Sequence, residues 1–212
     1  MPQDRSEIVE VNRAQTSEKD TFTPERYRQF YTHLPVDAKK IMDVGCGIGR
    51  GGEALKACNA GLELTGLDCV PQRVAALDKA VYSEALCGFA TDIPGESGRY
   101  DAVVAGEFLE HVPPMQVDAT LAEFFRVLRL HGRLLLTTPN PNYLRNRFQH
   151  LSMLMDPSHL TQHYADCLAF RLRLVGFSNI KIFGSGKVTR FLGQRFPLLS
   201  IYGSYLIRGD KW

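Results

Sequence analysis

Lys39-Lys40-Ile41-Met42-Asp43-Val44-Gly45-Cys46-Gly47-Ile48-Gly49-Arg50-Gly51-Gly52 is a short apolar run that stops at a carboxylate and gives way to glycines. The alternation of Ile41 and Val44 with their neighbours reads as a buried strand. Gly45, Gly47 and Gly49 then let the backbone turn sharply, with no Cβ to hold a ligand off. Such a strand-to-helix turn is either a cofactor cradle or a plain tight loop. A dinucleotide fingerprint G-x-G-x-x-G would need glycine at 45, 47 and 50, and position 50 is Arg50. A phosphate loop would need Lys-Ser or Lys-Thr after the glycines, and neither follows.

The chain of 212 residues is long enough to bury a substantial core as one α/β domain. Its 44 % hydrophobic and 23 % charged residues are those of an ordinary globular protein. Five cysteines, Cys46, Cys58, Cys69, Cys87 and Cys167, include no C-x-x-C pair, so reduced thiols in a cytoplasmic protein are expected. No leader pattern opens the chain and no apolar run reaches membrane-spanning length. The net charge of +2 hides an asymmetry: Pro139–Trp212 carries +7 and the remainder −5. A basic C-terminal part reads either as a solvated face or as the neighbour of an anionic acceptor or, at most, of a membrane surface met peripherally.

Asp-Val-Gly-Cys-Gly-Ile-Gly (43–49) resembles the first motif of the class I S-adenosylmethionine-dependent methyltransferases. A second stretch, Tyr100-Asp101-Ala102-Val103-Val104-Ala105-Gly106-Glu107-Phe108-Leu109-Glu110-His111-Val112, is similar to the family's fourth strand and the loop after it. Gly132 followed by Leu134-Leu135-Leu136-Thr137-Thr138-Pro139-Asn140 matches its fifth strand. The resemblance covers residues 39–140. It implies an α/β, Rossmann-like open sheet of about seven strands, mostly parallel with an antiparallel C-terminal hairpin edge and helices on both faces.

It also implies S-adenosylmethionine as cofactor. The second strand, Leu62–Asp68, ends in a carboxylate 25 residues beyond Asp43. A carboxylate there faces the same crevice as the glycine turn and only accepts hydrogen bonds, which suits the two adjacent hydroxyls of a ribose. Asp68 is therefore assigned the ribose. By the resemblance, Asp92 receives the adenine amino group with Ile93 beside the ring, unless Asp92 merely opens the turn before Pro94. Glu107 lines the sulfonium end. Asp43, Gly45, Cys46, Gly47, Gly49, Cys69 and Phe108 complete the expected cofactor set.

Residues 1–22 are polar without periodicity and read as a mobile lead-in or a flap, and 23–212 as a single domain. Tyr27, Phe30, Tyr31 and Leu34 describe an amphipathic helix after Pro24. Further expectations are a helix from Pro71 carrying Val74, Leu77 and Val81, a third strand over 86–90, and a helix over 142–155. Asp156-Pro157-Ser158-His159 is loosely similar to an insertion in methyltransferases of bacterial cell-surface saccharide pathways, so 141–164 and 184–202 are read as substrate-covering insertions.

A hydroxyl acceptor attacks better if a side chain takes its proton, and histidine is the leading residue type. The candidates are His159 and His163, spaced by four, and His111. Each has a plain alternative as a loop fastener. No metal is expected, since Asp156, His159 and His163 make no compelling ligand set. The expected activity is methyl transfer to a hydroxyl of a small molecule or saccharide, the acceptor being anionic if the basic region serves it. An acceptor that is a quinone precursor, amine or carboxylate stays open, as does a non-catalytic S-adenosylmethionine-binding module. No nucleic-acid module or Asn-Pro-Pro-Tyr-like tetrapeptide is present, so nucleic acid is not the expected partner. The sequence leaves the oligomeric state undefined.

Overall fold

Side chains alternate across a strand, so a strand buried on both faces feeds two cores. In the computed structural model, which describes residues 5–14, 20–152, 154, 156 and 158–212, β1 (Lys40–Val44) does this. Met42 and Val44 point into one core and Ile41 into the other. The remaining strands are β2 (Glu63–Asp68), β3 (Tyr82–Cys87), β4 (Tyr100–Gly106), β5 (Leu128–Pro139), β6 (Ser178–Ser185) and β7 (Ser204–Asp210). They form one seven-stranded sheet in the order β3-β2-β1-β4-β5-β7-β6. β1 to β5 run parallel, and β7 lies antiparallel between β5 and β6.

The helices are α1 (Arg5–Ala14), α2 (Thr23–His33), α3 (Arg50–Cys58), α4 (Pro71–Ala75), α5 (Val117–Val127), α6 (Leu144–Phe148), α7 (Ala165–Val175) and α8 (Thr189–Leu192). Leu121 and Phe124 of α5 with Leu168 and Leu172 of α7 fill one face of the sheet. Tyr27 and Phe30 of α2 with Leu55 of α3 fill the other. Each such large apolar side chain contributes about 1.5–3 kcal/mol when fully buried. Gly176, at φ 117°, caps α7 in the left-handed conformation, as its sequence position suggests.

Three elements depart from expectation. The helix from Pro71 stops at Ala75 because Asp78 takes over the backbone: its carboxylate accepts from Ala80 N–H and its carbonyl from Val81 and Tyr82 N–H. The third strand accordingly starts at Tyr82 and ends at Cys87, where Gly88 N–H turns to the Asp68 carbonyl. The expected 142–155 helix is only Leu144–Phe148, and His150 at φ 54° ends its local order; Met153 and Met155 lie outside the described residues. Of the expected lead-in, 5–14 form α1, and 1–4 and 15–19 lie outside the described residues. Among the described residues, no helix is long and apolar enough to cross a membrane.

Candidate active site

In an open parallel sheet the ligand crevice lies beyond the carboxyl ends of the strands. Here a cavity of about 890 Å³ opens there, bounded by the loops after β1, β2, β3 and β4. Cavities of that order hold cofactor-sized ligands. Ile8, Val11 and Asn12 of α1 close one side. The helix is pinned by Arg73, which donates to the Asn12 carbonyl at 2.8 Å, and by Arg5, which lies over the Phe89 ring.

The glycine turn is built by positive φ: 69° at Gly45, 55° at Gly47 and 92° at Gly49. A Cβ at Gly45 would meet Phe108 at 2.5 Å, whereas one at Gly47 would meet nothing within 4 Å. Gly47 thus presents bare backbone to the cavity. Its N–H donates to Asp68 Oδ2 at 3.0 Å, and Val70 N–H donates to Asp68 Oδ1 at 2.9 Å. Arg73 lies 3.9 Å from Oδ2 of the same carboxylate, and Asp68 lines the cavity. Cys46 and Cys69 line it too, as thiols: burial pushes Cys69 up to about 11 and Cys46 higher still.

Asp43 stands apart from this wall. Fully buried, it accepts from Tyr27 Oη and Tyr82 Oη, both at 2.6 Å. Burial raises its pKa to about 6 against the opposing pull of those two hydrogen bonds. Gly49 caps α3 beneath the turn. Asp92 is exposed and 4.0 Å from Arg5, and Ile93 is buried in the core with its N–H on Glu123; neither lines the cavity, where Phe89, Ala90 and Thr91 do.

The loop after β4 supplies the opposite end. Glu107 adopts φ 51°, a strained conformation of the kind that gathers at functional sites, and is held by its N–H to the Thr137 carbonyl. Its Oε2 accepts from Ser204, and its Oε1 is 3.7 Å from the buried Arg26, which also pairs with Asp20 at 2.9 Å. Arg26 and Asp20 were not among the site residues expected from sequence, because Arg26 meets Glu107 only across distant segments, and Glu110 was legible only as part of the loop that resembles the family. Glu110 is buried; Thr138 donates to Oε2 at 2.9 Å, and Oε1 has no hydrogen-bond partner. Burial, reinforced by Glu107, pushes its pKa well above the usual carboxylate range.

The three candidate histidines divide. His111 and His159 line the cavity with ring centroids 5.0 Å apart. Burial holds the His111 pKa below the ordinary histidine value, so the ring is neutral near pH 7. His163 turns inward instead, bonding Thr161 Oγ1 at 2.8 Å and the Leu109 carbonyl at 3.2 Å. Asn140, from the Thr-Pro-Asn stretch, is a buried joint whose amide donates to the carbonyls of Leu199 and Tyr202. Among the described residues, the potential metal ligands that converge are Glu110, His111 and His159, not the set weighed from sequence.

Residues 42–136 match the family described as "Methyltransferase domain". The chain is similar to that methyltransferase domain over this stretch, which is under half of its length. Its fold is the Rossmann-like fold of S-adenosylmethionine-dependent methyltransferases: a solved SAM-dependent methyltransferase from Archaeoglobus fulgidus superposes with a TM-score of 0.68 at 20% identity, over 90% of this chain and 93% of that one. A ubiquinone biosynthesis O-methyltransferase of Xanthomonas oryzae pv. oryzae is 30% identical over 123 residues, 55% of this chain and 50% of that protein. A malonyl-[acyl-carrier protein] O-methyltransferase of Laribacter hongkongensis is 30% identical over 142 residues, 61% of this chain and 46% of that protein. The chain thus spans about half the length of these curated relatives. The methyltransferase domain match begins inside β1 and ends inside β5, so it takes in the glycine turn, Asp68 and the Glu107–His111 loop.

Proposed function

We propose that this chain is an S-adenosylmethionine-dependent methyltransferase that moves a methyl group to a hydroxyl of a small molecule or saccharide by in-line displacement. The observation that carries the reading is Asp68, whose carboxylate lines the cavity while fixing the bare Gly47 backbone beside it. Asp68 holds the ribose, the Gly45–Gly47 backbone the amino-acid end, and Phe89 with Thr91 the adenine side, with Asp92 at the rim. Gly47 fits this use because a Cβ there would occupy open cavity.

S-adenosylmethionine supplies a methyl group already activated by a sulfonium, which becomes a neutral thioether as the acceptor oxygen bonds to the methyl carbon and loses its proton. The protein then has to place the acceptor in line and exclude water. Glu107 bounds the methyl end, and His111 and His159 face the acceptor hydroxyl. α1 closes the cavity over the donor. Methylation at oxygen is supported by the names of the two curated relatives, which also keep a quinone-precursor or carboxylate acceptor in play. Calorimetry with S-adenosylhomocysteine should show saturable binding, and labelled donor incubated with fractionated cell extracts should label a saccharide or small-molecule pool. Absence of binding by the intact protein would sink the reading, and donor binding without transfer to any pool would leave a binding module.

A further inference from the structure

Segment 158–161 is stapled to the loop after β4 at three points. His111 Nδ1 donates to the Ser158 carbonyl at 2.9 Å, and the N–H groups of Leu160 and Thr161 donate to the Glu110 carbonyl at 2.8 and 3.1 Å. These bonds fix where His159 stands relative to Glu110 and His111. One potential ligand atom from each of the three side chains lies within 4.8 Å of the others.

The hydrogen-bonding state of each group matters. Because Nδ1 of His111 carries the proton that reaches Ser158, the ring's lone pair sits on Nε2; a backbone carbonyl that sets the tautomer in this way is the usual companion of a metal-ligating histidine. Glu110 Oε1 is buried with no hydrogen-bond partner while Oε2 is held by Thr138. A buried polar atom left unmatched costs about 1–3 kcal/mol, and a cation would remove that cost. Asp156 Oδ2, 4.0 Å from His159 Nε2, adds negative charge beside this residue. Two imidazoles and one carboxylate are the donor set of mononuclear sites for Fe²⁺ or Zn²⁺, which leave coordination positions open.

We propose that Glu110, His111 and His159 bind one divalent transition-metal cation at the acceptor end of the cavity, and that its open positions receive the acceptor hydroxyl. A cation there would orient the hydroxyl and make it more acidic, replacing an isolated general base. The acceptor role rests on the methyl-transfer reading; the cation site itself does not.

The test uses the untagged full chain, stripped of metal and free of donor and acceptor. Mn²⁺ titration followed by electron paramagnetic resonance should saturate at one equivalent, and Co²⁺ should develop visible d–d bands. Glu110→Gln and His159→Gln should each weaken Mn²⁺ binding at least about tenfold. Circular dichroism reports whether each variant folds; should Glu110→Gln unfold, His159→Gln, at the cavity edge, decides alone. Absence of saturable binding, or binding that folded His159→Gln leaves unchanged, overturns the proposal. S-adenosylhomocysteine titration of the same protein keeps the two readings separate: its failure beside intact metal binding removes the methyltransferase reading alone, and success beside absent metal binding removes the metal site alone.

Discussion

Tyr82 Oη donates to Asp43 Oδ2 at 2.6 Å and accepts from Gly52 N–H at 3.0 Å, joining the start of β3 to the end of β1 and the first turn of α3. With Tyr27 on the other carboxylate oxygen, this network sits under the glycine turn. It also accounts for Gly51 and Gly52: a Cβ at Gly51 would lie 2.2 Å from the Tyr27 ring and one at Gly52 2.3 Å from Tyr82 Cζ. Glycine to alanine within a helix normally gains up to about 1 kcal/mol. Here hydrogen bonds hold both rings in place, and overpacking of this kind costs about 1–3 kcal/mol, so Gly51→Ala and Gly52→Ala should each lower the unfolding free energy measured in urea.

Asp43 gives a pH dependence of known sign. Its pKa rises from 3.8 unfolded to about 6 folded, so the folded state binds the proton more tightly. The associated stability is fully present below the unfolded value and is lost as pH rises through about 6, a change of about 3 kcal/mol. Asp43→Asn removes this titration. The stability of wild type minus that of Asp43→Asn should therefore fall between about pH 4 and about pH 7 in parallel denaturant titrations.

Asp68 offers a charged acceptor to two ligand hydroxyls. Hydrogen bonds of that kind contribute about 1.5–3 kcal/mol, so Asp68→Ala should weaken S-adenosylhomocysteine binding about 10- to 100-fold by calorimetry. Affinity within twofold of wild type would assign Asp68 to the turn alone.

Ile8 brings α1 onto the cavity and is 9% exposed. Replacing it with aspartate places a charge where apolar surface meets the donor, and S-adenosylhomocysteine affinity should drop about tenfold, in line with losing one buried aliphatic side chain. The melting temperature should change little, since neither sheet core includes a described side chain of α1.

His163 is buried and bonded to Thr161 and the Leu109 carbonyl. His163→Ala removes the ring's bonds to Thr161 Oγ1 and the Leu109 carbonyl together with the packing of a buried side chain, and it should destabilise the fold by about 1–3 kcal/mol in urea.

The individual strands and the glycine turn after β1 were legible because each rests on short-range signals, namely apolar alternation, glycines at a turn and a carboxylate closing a strand, whereas the parallel sheet with its antiparallel edge was implied by the family resemblance. Asp68, Gly47 and Glu107 reach the cavity for the same reason, being fixed to strand ends. Legibility failed where a side chain competes with the backbone, as Asp78 does at the end of α4. It failed again at Asp43, whose partners lie 16 and 39 residues away and draw its carboxylate into the interior instead of the cavity.

By itself, then, the sequence determined the succession of strands, the glycine turn and the acidic residue that closes β2, since these depend on local backbone freedom and on hydrophobic period. Only the tertiary structure decided which histidines share a wall. His111 and His159 are 48 positions apart and meet because backbone hydrogen bonds draw 158–161 onto the loop after β4, while His163, four residues on, is turned into the core. Spacing along a chain carries no information about such a meeting, because it is set by where two loops are anchored on the sheet.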